Sequence, residues 1–350
     1  MQMTPFVSVV MPVRNEASFI SGSLGAVLAQ DYPRDRMEII VADGLSDDGT
    51  REIIRTARAK NPMVSLVDNP GKIVSTGLNA ALRLAKGEIV VRVDGHCEIA
   101  SDYVSRCVLH LTEDKVDCVG GPLETVGETY TAQAIAAAMS SRFGVGGSAF
   151  RVGATDATFA DTVPFPGYRS EMIQRVGPFD EELVRNQDDE YNYRLRKLGG
   201  RILLAPDIRS RYYSRASFRR LWKQYFQYGY WKVRVLQKHP RQMSPRQFMP
   251  PLFVIGSSLL LMTTPFFVAS KFLLAAGVLA YAILNLAASV LAARKTEWQL
   301  LPMLPIAFTI IHLAYGSGFL IGLAKFWNRW GDRGTRASHA TLLHDAAPLH

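Results

Sequence analysis

The stretch "VVRVDGHCE" (residues 90–98) begins as an apolar strand and ends in a carboxylate, a glycine and an imidazole. Its β-branched residues favour a strand, whereas Asp94, Gly95 and His96 are typical of a turn or of a ligand site. A strand that merely ends in a turn and a strand that delivers polar groups to a ligand are both compatible with these nine residues. The flanking sequence decides between them.

Three apolar runs upstream resemble the run before Asp94 in length and composition. The four strands are expected at 7–13 (VSVVMPV), 37–43 (MEIIVAD), 64–70 (VSLVDNP) and 88–94 (EIVVRVD). Because helix-like segments of ten to fifteen residues separate them, the pattern predicts an α/β fold, a mainly parallel sheet with helices on both faces. Ligands of such sheets bind outside the carboxyl ends of the strands. Asp43 and Asp94 both stand at those ends, which predicts a ligand site there.

Several other classes of site lack their sequence signals. No GxGxxG motif follows the first strand and no GxxxxGK[ST] motif occurs, although "NPGKIVSTG" (69–77) contains part of one. Dinucleotide oxidoreductases and P-loop enzymes are therefore disfavoured. Cys97, Cys107 and Cys118 are odd in number and show no CxxC spacing, which argues against a zinc site or a disulfide framework. We expect them to be small buried residues.

The apolar excess of the 350-residue chain is concentrated near its C-terminus. Residues 251–270, 272–293 and 298–324 contain no Asp, Glu, Lys or Arg, and each block is long enough to cross a hydrocarbon core of about 30 Å as a helix. The pattern predicts a membrane domain of about three helices over 250–326. The run "FVSVVMP" (6–12) is too short for a signal peptide, so the N-terminal domain is expected in the cytosol.

The positive net charge of +9 is concentrated in one segment of the chain. Between Arg201 and Arg246 twelve Lys or Arg residues face one acid, Asp207, and this segment leads into the apolar blocks. Basic residues near a membrane favour anionic lipids by about 1 kcal/mol each, so we expect a membrane surface rather than nucleic acid as the partner. Apolar residues at helical spacing over 217–239, with basic residues such as Arg234 and Lys238 largely off that stripe, predict amphipathic interfacial helices over 216–249. An amphipathic helix packed on the domain is the alternative.

Four ordered motifs resemble those of the inverting family 2 glycosyltransferases, whose nucleotide-diphospho-sugar domain has the GT-A fold. They are "VMPVRNE" (10–16), "VADGLSDDGT" (41–50), "LNAALRLAKGEIVVRVDGH" (78–96) and "VRNQDDEYNYRL" (184–195). The resemblance runs from about residue 7 to 239. Within the family, "RFGVGGSAFRVG", "DTVPFPGYR" and "LWKQYFQYGYWKVRVLQKHP" are similar to the succinoglycan-type exopolysaccharide glucosyltransferases.

The resemblance implies an activity and a location. A cytosolic GT-A domain over 1–215 would move a hexose, glucose from UDP-glucose, to a polyprenyl-diphosphate-linked oligosaccharide and form a β-glycosidic bond. The enzyme would sit in the bacterial inner membrane as a multi-pass protein, followed by a flexible tail over 327–350. Basic residues after the last apolar block conflict with an external tail, so its side stays open. A processive polysaccharide synthase and a non-catalytic membrane sensor of sugar nucleotides are the alternatives.

The resemblance also implies a donor site and a metal site. The residues expected to contact the nucleotide sugar are Pro12, Arg14, Glu16, Asp43, Lys72, Asn79, Asp94 and Gly95. Asp94 and His96 would hold a divalent cation, Mn²⁺ or Mg²⁺, where the family usually has Asp-x-Asp. Because imidazole is a poor ligand for Mg²⁺, the substitution favours Mn²⁺-like ions. A structural or diphosphate-contacting His96 is the alternative.

On the acceptor side, Asp188 aligns with the family's catalytic base. Asp189 is its rival, and Glu190 is expected to be structural. One acting carboxylate predicts inversion, whereas a glycoside hydrolase would need a carboxyl pair flanking the bond. In "QYGYW" (227–231), Gln227 and Trp231 resemble the Gln-x-x-Arg-Trp motif of processive synthases and are expected near the acceptor or the diphosphate. Tyr230 replaces the arginine, which puts processive synthesis in doubt.

Overall fold

The computed structural model describes residues 4–153, 155–214 and 217–332, which form two compact units. The first unit contains the chain up to Glu124 together with Gly153–Tyr212, and the second contains Thr125–Val152 together with the chain from Tyr213. The predicted domains had placed Thr125–Val152 with the first unit, whereas the contacts of this segment place it with the second. Most of the predicted tail lies outside the described residues.

Eight strands of the first unit form one mixed sheet in the order β3-β2-β1-β4-β9-β6-β10-β8. Neighbouring strands from β3 to β4 run parallel, β6 and β10 are also parallel, and β9 and β8 run antiparallel to their neighbours. The strands are β1 (Val7–Val13), β2 (Met37–Asp43), β3 (Val64–Asp68), β4 (Ile89–Arg92), β5 (Cys97–Ile99), β6 (Cys118–Gly120), β7 (Leu123–Val126), β8 (Thr158–Phe159), β9 (Gly167–Arg169), β10 (Ile202–Leu204) and β11 (Ser210–Tyr213).

The interior of this sheet is apolar on both faces, as the continuous apolar runs predict. Every residue of β1 and β4 is buried, and all of β2 except Glu38. Since β1 pairs with both β2 and β4, the carboxyl ends of these three strands lie at one edge. A second sheet of β5, β11 and β7 sets Tyr212 opposite Cys97, one residue beyond His96. The three cysteines are buried and free.

Thirteen α-helices lie within the described residues. They are α1 (Ile20–Leu28), α2 (Thr50–Lys60), α3 (Val74–Leu82), α4 (Tyr103–Glu113), α5 (Tyr130–Met139), α6 (Arg142–Val145), α7 (Ala149–Val152), α8 (Ser170–Val176), α9 (Gln187–Lys197), α10 (Phe218–Lys238), α11 (Met249–Thr263), α12 (Val268–Lys295) and α13 (Leu304–Lys325). In the first unit, α1 to α4 follow β1, β2, β3 and β5, so the βα alternation predicted for the N-terminal half is present.

In the second unit, α10 packs along α13 with the two backbones in direct contact. A Cβ on Gly229 would lie 2.0 Å from the Tyr315 carbonyl oxygen, and one on Gly318 would lie 2.1 Å from that of Phe226. Gly322, four residues after Gly318, also faces α10, where a Cβ would lie 2.6 Å from the Tyr230 carbonyl oxygen. Small residues at this spacing let helices approach closely, as in helix pairs within membranes.

The close contact with α13 alters the expected distribution of charge on α10. Arg234 and Lys238, expected on its polar face, are buried instead. Arg234 is fully buried, and its guanidinium donates to Gln237 Oε1 at 2.5 Å and to Asp332 Oδ2 at 3.3 Å. The placement expected for these two basic residues is therefore wrong, because polar partners inside the unit satisfy the charge of Arg234. Whether α10 also lies in a membrane interface stays a prediction.

Two helices of the described residues are long and apolar enough to cross a membrane, judged by length and composition: α12, with 28 residues, and α13, with 22. Large apolar side chains on α12, such as Phe272, Leu279 and Ile283, are well exposed. The first apolar block forms α11, whose 15 residues span only about 22 Å at 1.5 Å per residue. It is thus shorter than a hydrocarbon core of about 30 Å.

Candidate active site

The acidic turn after β2 is built around the buried carboxylate of Asp43. Its Oδ1 accepts a hydrogen bond from the Ser46 hydroxyl at 2.5 Å, and its Oδ2 accepts from the Ser46 amide at 3.1 Å and from Arg51 Nη1 at 2.8 Å. Arg51 also donates to Asp68 Oδ1 at 2.6 Å, at the end of β3. Arg51 lies in none of the sequence motifs quoted above. This arginine fixes two strand-end carboxylates at the edge predicted for the site.

The turn after β1 is hydrogen-bonded to the acidic turn. The Asn15 amide donates to the Ser46 hydroxyl at 2.9 Å, and the Asp47 amide donates to Asn15 Oδ1 at 3.1 Å. Asn15 has a φ of 53°, a conformation that asparagine tolerates better than most residues. Arg14 donates to the backbone carbonyl of Lys72 at 3.3 Å. Arg14, Lys72 and Asp43 are therefore brought together, close to the buried Pro12 of β1.

The Asp-Gly-His turn after β4 is held by Arg92, the last residue of β4, and by Glu16 from the turn after β1. Arg92 pairs with Asp94 through two hydrogen bonds, Nε to Oδ1 at 2.9 Å and Nη2 to Oδ2 at 3.1 Å. His96 Nδ1 lies 3.0 Å from Glu16 Oε1, and its ring packs edge-on against Tyr212. Both residues of the predicted metal pair thus have a fixed protein partner.

Asp188 lies in the first turn of α9, where its Oδ1 accepts from the Asp189 amide at 2.9 Å. The residue before the helix, Asn186, has a φ of 61°. Burial alone would lower the pKa of Arg92, but the nearby carboxylates of Asp94 and Asp188 outweigh it and raise that pKa. Two carboxylates from different motifs therefore act on one buried guanidinium.

Other residues of the α9 motif are structural or buried. Glu190 is buried and receives two hydrogen bonds from Arg194, from Nε at 2.7 Å and from Nη2 at 3.0 Å, so it is structural, as expected. Gln187 is also buried, and among the described residues its Oε1 has no hydrogen-bond partner. A buried acceptor without a partner is costly, so this atom is a candidate for contact with a bound polar group.

Three further residues were predicted at the site: Asn79, Gln227 and Trp231. Asn79 donates to the Phe179 carbonyl and to Glu181 Oε1, both at 2.9 Å, and accepts from the Phe179 amide at 2.8 Å. Its amide thus holds the 179–181 segment in place. Gln227 and Trp231 lie on α10 in the second unit, where Trp231 packs near Phe326 in an apolar cluster.

The residues of the Asp-Gly-His turn suit a divalent cation in type but not in number. Among residues 4–153, 155–214 and 217–332, no three His, Cys, Asp or Glu side chains are grouped so that they alone hold a metal ion. Asp94 offers a carboxylate and His96 an imidazole whose Nδ1 is already occupied. A metal bound here would need further coordinating atoms, supplied by water or by a bound substrate.

A mixed sheet whose parallel strand ends gather carboxylates, with a further acid at the start of a later helix, is the arrangement expected of the GT-A class of nucleotide-sugar transferases. The profile described as "Glycosyl transferase family 2" matches residues 8–177. The "Succinoglycan biosynthesis protein ExoA" of Rhizobium meliloti (strain 1021) is 32% identical over 324 residues, covering 92% of this chain and 96% of that protein. The chain belongs to glycosyl transferase family 2 and is a glycosyltransferase.

Two further proteins are similar along nearly the whole chain. A Methanococcus voltae enzyme is 26% identical over 91% of this chain and 98% of its own length; it is named "Dolichyl N-acetyl-alpha-D-glucosaminyl phosphate 3-beta-D-2,3-diacetamido-2,3-dideoxy-beta-D-glucuronosyltransferase". The solved structure of mannosyltransferase PcManGT from Pyrobaculum calidifontis, in complex with GDP-Man and Mn²⁺, has a TM-score of 0.58 and 22% identity. The match covers 93% of this chain and 88% of the mannosyltransferase chain. The GT-A fold predicted from the sequence is confirmed.

Proposed function

We propose that this chain is a membrane-bound inverting hexosyltransferase that moves glucose from UDP-glucose to a polyprenyl-diphosphate-linked oligosaccharide during exopolysaccharide synthesis. The observation that carries the proposal is the gathering of Asp43 and Asp94 at or just after the carboxyl ends of β2 and β4, which both pair with β1, together with an Asp188 that acts on the charge of Arg92. Donor and acceptor functions of a transferase must meet at one reacting carbon. Asp94 pairs with Arg92 through two hydrogen bonds, and the Asp188 carboxylate is near enough to raise the pKa of the same arginine, which supports one common site for the two functions.

Asp188 is the proposed general base. It accepts the proton of the acceptor hydroxyl as that oxygen bonds to the anomeric carbon, while the bond from this carbon to the diphosphate oxygen breaks and UDP leaves. Because one carboxylate acts and none is placed as a nucleophile, attack occurs from the face opposite the leaving group. An α-linked donor therefore gives a β-glycoside.

Asp94 and His96 are the residues proposed to hold a divalent cation, Mn²⁺ or Mg²⁺. A divalent cation, when bound, supplies positive charge to the leaving diphosphate. Arg14 and Lys72 contribute positive charge near the ends of β1 and β3, where the nucleotide is proposed to lie. Asp43 is proposed to border the uracil ring of the nucleotide, with its carboxylate oriented by Ser46 and Arg51.

The acceptor and the membrane are proposed on independent grounds. The apolar, well-exposed α12 and the apolar α13 support attachment to a membrane, which we infer to be the bacterial inner membrane, with the first unit in the cytosol. A lipid-linked acceptor is supported by the name of the Methanococcus voltae relative, which specifies a dolichyl phosphate carrier. Exopolysaccharide synthesis is supported by the name of the Rhizobium relative.

The test is transfer of label from UDP-glucose into organic-extractable lipid by membranes that contain the full chain, an acceptor pool and Mn²⁺ or Mg²⁺. We expect Asp188→Asn to lower transfer by about 10²- to 10⁴-fold, the usual contribution of a general base. Asp189→Asn, the matched control one residue away, should retain most of the activity. A loss confined to Asp189→Asn would move the base to that residue.

The same assay separates the alternatives. Label in long polymer made by the purified chain alone would indicate a processive synthase. UDP-glucose binding without label in lipid or polymer would indicate a sensor. Transfer from a different nucleotide sugar would retain the enzyme class and replace glucose as the proposed donor.

A further inference from the structure

We propose that Glu16 is a positioning residue that fixes the imidazole of His96, and that it does not contact the nucleotide. This inference rests on the proposed function, since it assigns His96 a role toward a diphosphate-bound cation. Glu16 Oε1 lies 3.0 Å from His96 Nδ1, and both side chains are more than four-fifths buried. The two residues are 80 positions apart, so the fold creates the pair.

The backbone of Glu16 is held on both sides. Its amide donates to the Thr50 hydroxyl at 2.9 Å, and its carbonyl accepts from the amides of Phe19 and Ile20 at 2.9 and 2.8 Å, at the start of α1. The Thr50 hydroxyl in turn donates to Asp48 Oδ1 at 2.5 Å. The carboxylate of Glu16 therefore extends from a rigid base, as a residue that orients another side chain requires.

Gly95 leaves the space through which Glu16 reaches His96. A Cβ at position 95 would lie 2.9 Å from Val13 Cγ1 and 3.2 Å from Glu16 Cγ. The Gly95 carbonyl is fixed by the Ser23 hydroxyl at 2.9 Å, so the turn has little freedom to shift away. The glycine of the Asp-Gly-His turn is thus explained by packing against Glu16 and Val13.

The pair determines which nitrogen of His96 is available. An ionised carboxylate only accepts hydrogen bonds, so Nδ1 carries a hydrogen and donates it to Glu16. Among the described residues, Nε2 has no hydrogen-bond partner, and the ring edge is packed at 5.1 Å between centroids against Tyr212. A histidine whose other nitrogen donates to a carboxylate is the usual arrangement of a metal-ligating imidazole.

Charge argues against direct contact of Glu16 with the donor. A diphosphate is an anion, and a carboxylate beside it would repel it unless a cation lies between them. The Glu16 carboxylate already pairs with Nδ1 of His96, whereas the nitrogen left for a metal is Nε2. Its effect on the donor is therefore expected to pass through His96.

The experiment measures Mn²⁺ binding to the detergent-solubilised full chain in the presence of UDP, by the EPR signal of free Mn²⁺. It compares wild type, Glu16→Ala, Glu16→Gln, His96→Ala and the Glu16→Ala/His96→Ala double variant. We expect Glu16→Ala to weaken Mn²⁺ binding about 10- to 100-fold, as loss of an outer-shell carboxylate does. Glu16→Gln should weaken it less, because the amide oxygen still accepts from Nδ1. In the His96→Ala background, Glu16→Ala should add less than about a twofold change.

A second readout separates positioning from direct contact. UDP affinity without Mn²⁺, measured by calorimetry, should be the same for wild type and Glu16→Ala. Weaker metal-free UDP binding in Glu16→Ala, or an undiminished effect of Glu16→Ala in the His96→Ala background, would overturn the inference. A wild-type chain that fails to bind UDP with Mn²⁺ would instead contradict the proposed function, whereas wild-type binding that is insensitive to Glu16→Ala would contradict only this inference.

Discussion

Adding one methyl group at Gly318 should separate α10 from α13. The new Cβ would lie 2.1 Å from the Phe226 carbonyl oxygen, whereas ordinary contact begins near 3.4 Å. The helices would have to move apart by about 1.3 Å at this point, because the obstacle is backbone and cannot rotate away. Forcing extra volume into a packed interface costs about 1–3 kcal/mol, and more where nothing yields. We therefore expect Gly318→Ala to destabilise the second unit by about 3 kcal/mol.

Tryptophan fluorescence can report this unit selectively, because all five tryptophans of the chain lie between residues 222 and 330. At about 2–4 °C per kcal/mol for a unit of this size, the unfolding midpoint in detergent should fall by ~6–12 °C. Gly277→Ala on α12 is the matched control, since a Cβ there meets no atom within 4 Å. If both variants unfold at the wild-type temperature, the close helix contact is not the stabilising feature inferred here.

Two further predictions concern the stability of the first unit and are measured as its resistance to limited proteolysis after heating. Arg92→Met should destabilise the first unit by about 3 kcal/mol. This is the low end for breaking a buried ion pair, because Asp94 is partly exposed. An Arg92→Met/Asp94→Asn double variant that is no more stable than Arg92→Met would contradict this explanation. Burial lowers the pKa of His110, but its hydrogen bonds to Asp114 and Asp207 outweigh burial and raise that pKa above 6.5. The stabilisation of the first unit by His110 is therefore fully present below about pH 6.5 and is lost as the pH rises through the raised pKa. The stability difference between wild type and His110→Gln should shrink between about pH 6 and 9. A difference that stays constant over this range would refute the assignment.

The strands that bear the site were predictable from sequence because their signal is local. The bounds predicted for β1 and β2 match the structure, since continuous apolar runs end there at polar turns. The strand predicted at 88–94 ends earlier, at Arg92, because the following residues turn toward their side-chain partners. The antiparallel β9 between β4 and β6 was not predicted, since it pairs with residues about 50 to 80 positions away. The periodicity of apolar residues within a segment does not indicate which distant strand that segment pairs with.

The candidate site was predictable in its residue types but not in its partners. A charge within a buried strand is a usable signal, and Arg92 in "VVRVD" carries it, yet the sequence does not show that Asp94 pairs with this arginine or that Asp188 also acts on its charge. The same limit applies to Asn79, which matches a family motif but binds the backbone of Phe179. Spacing identifies side chains that can act, whereas tertiary packing decides which of their atoms remain available. Glu16 illustrates the same limit, because only the fold brings it to His96.

The distribution of charge at the site has a consequence for donor binding. Three carboxylates there each pair with an arginine: Asp43 and Asp68 with Arg51, and Asp94 with Arg92. The partnered cations are therefore largely committed before an anionic diphosphate arrives. Binding of UDP then depends on positive charge that is not already paired with a carboxylate, whether from basic side chains near the β1 turn or from a bound cation. For this reason we expect UDP affinity to rise steeply with added Mn²⁺ and to fall with ionic strength when Mn²⁺ is absent; metal-independent UDP affinity would show that the committed cations are enough.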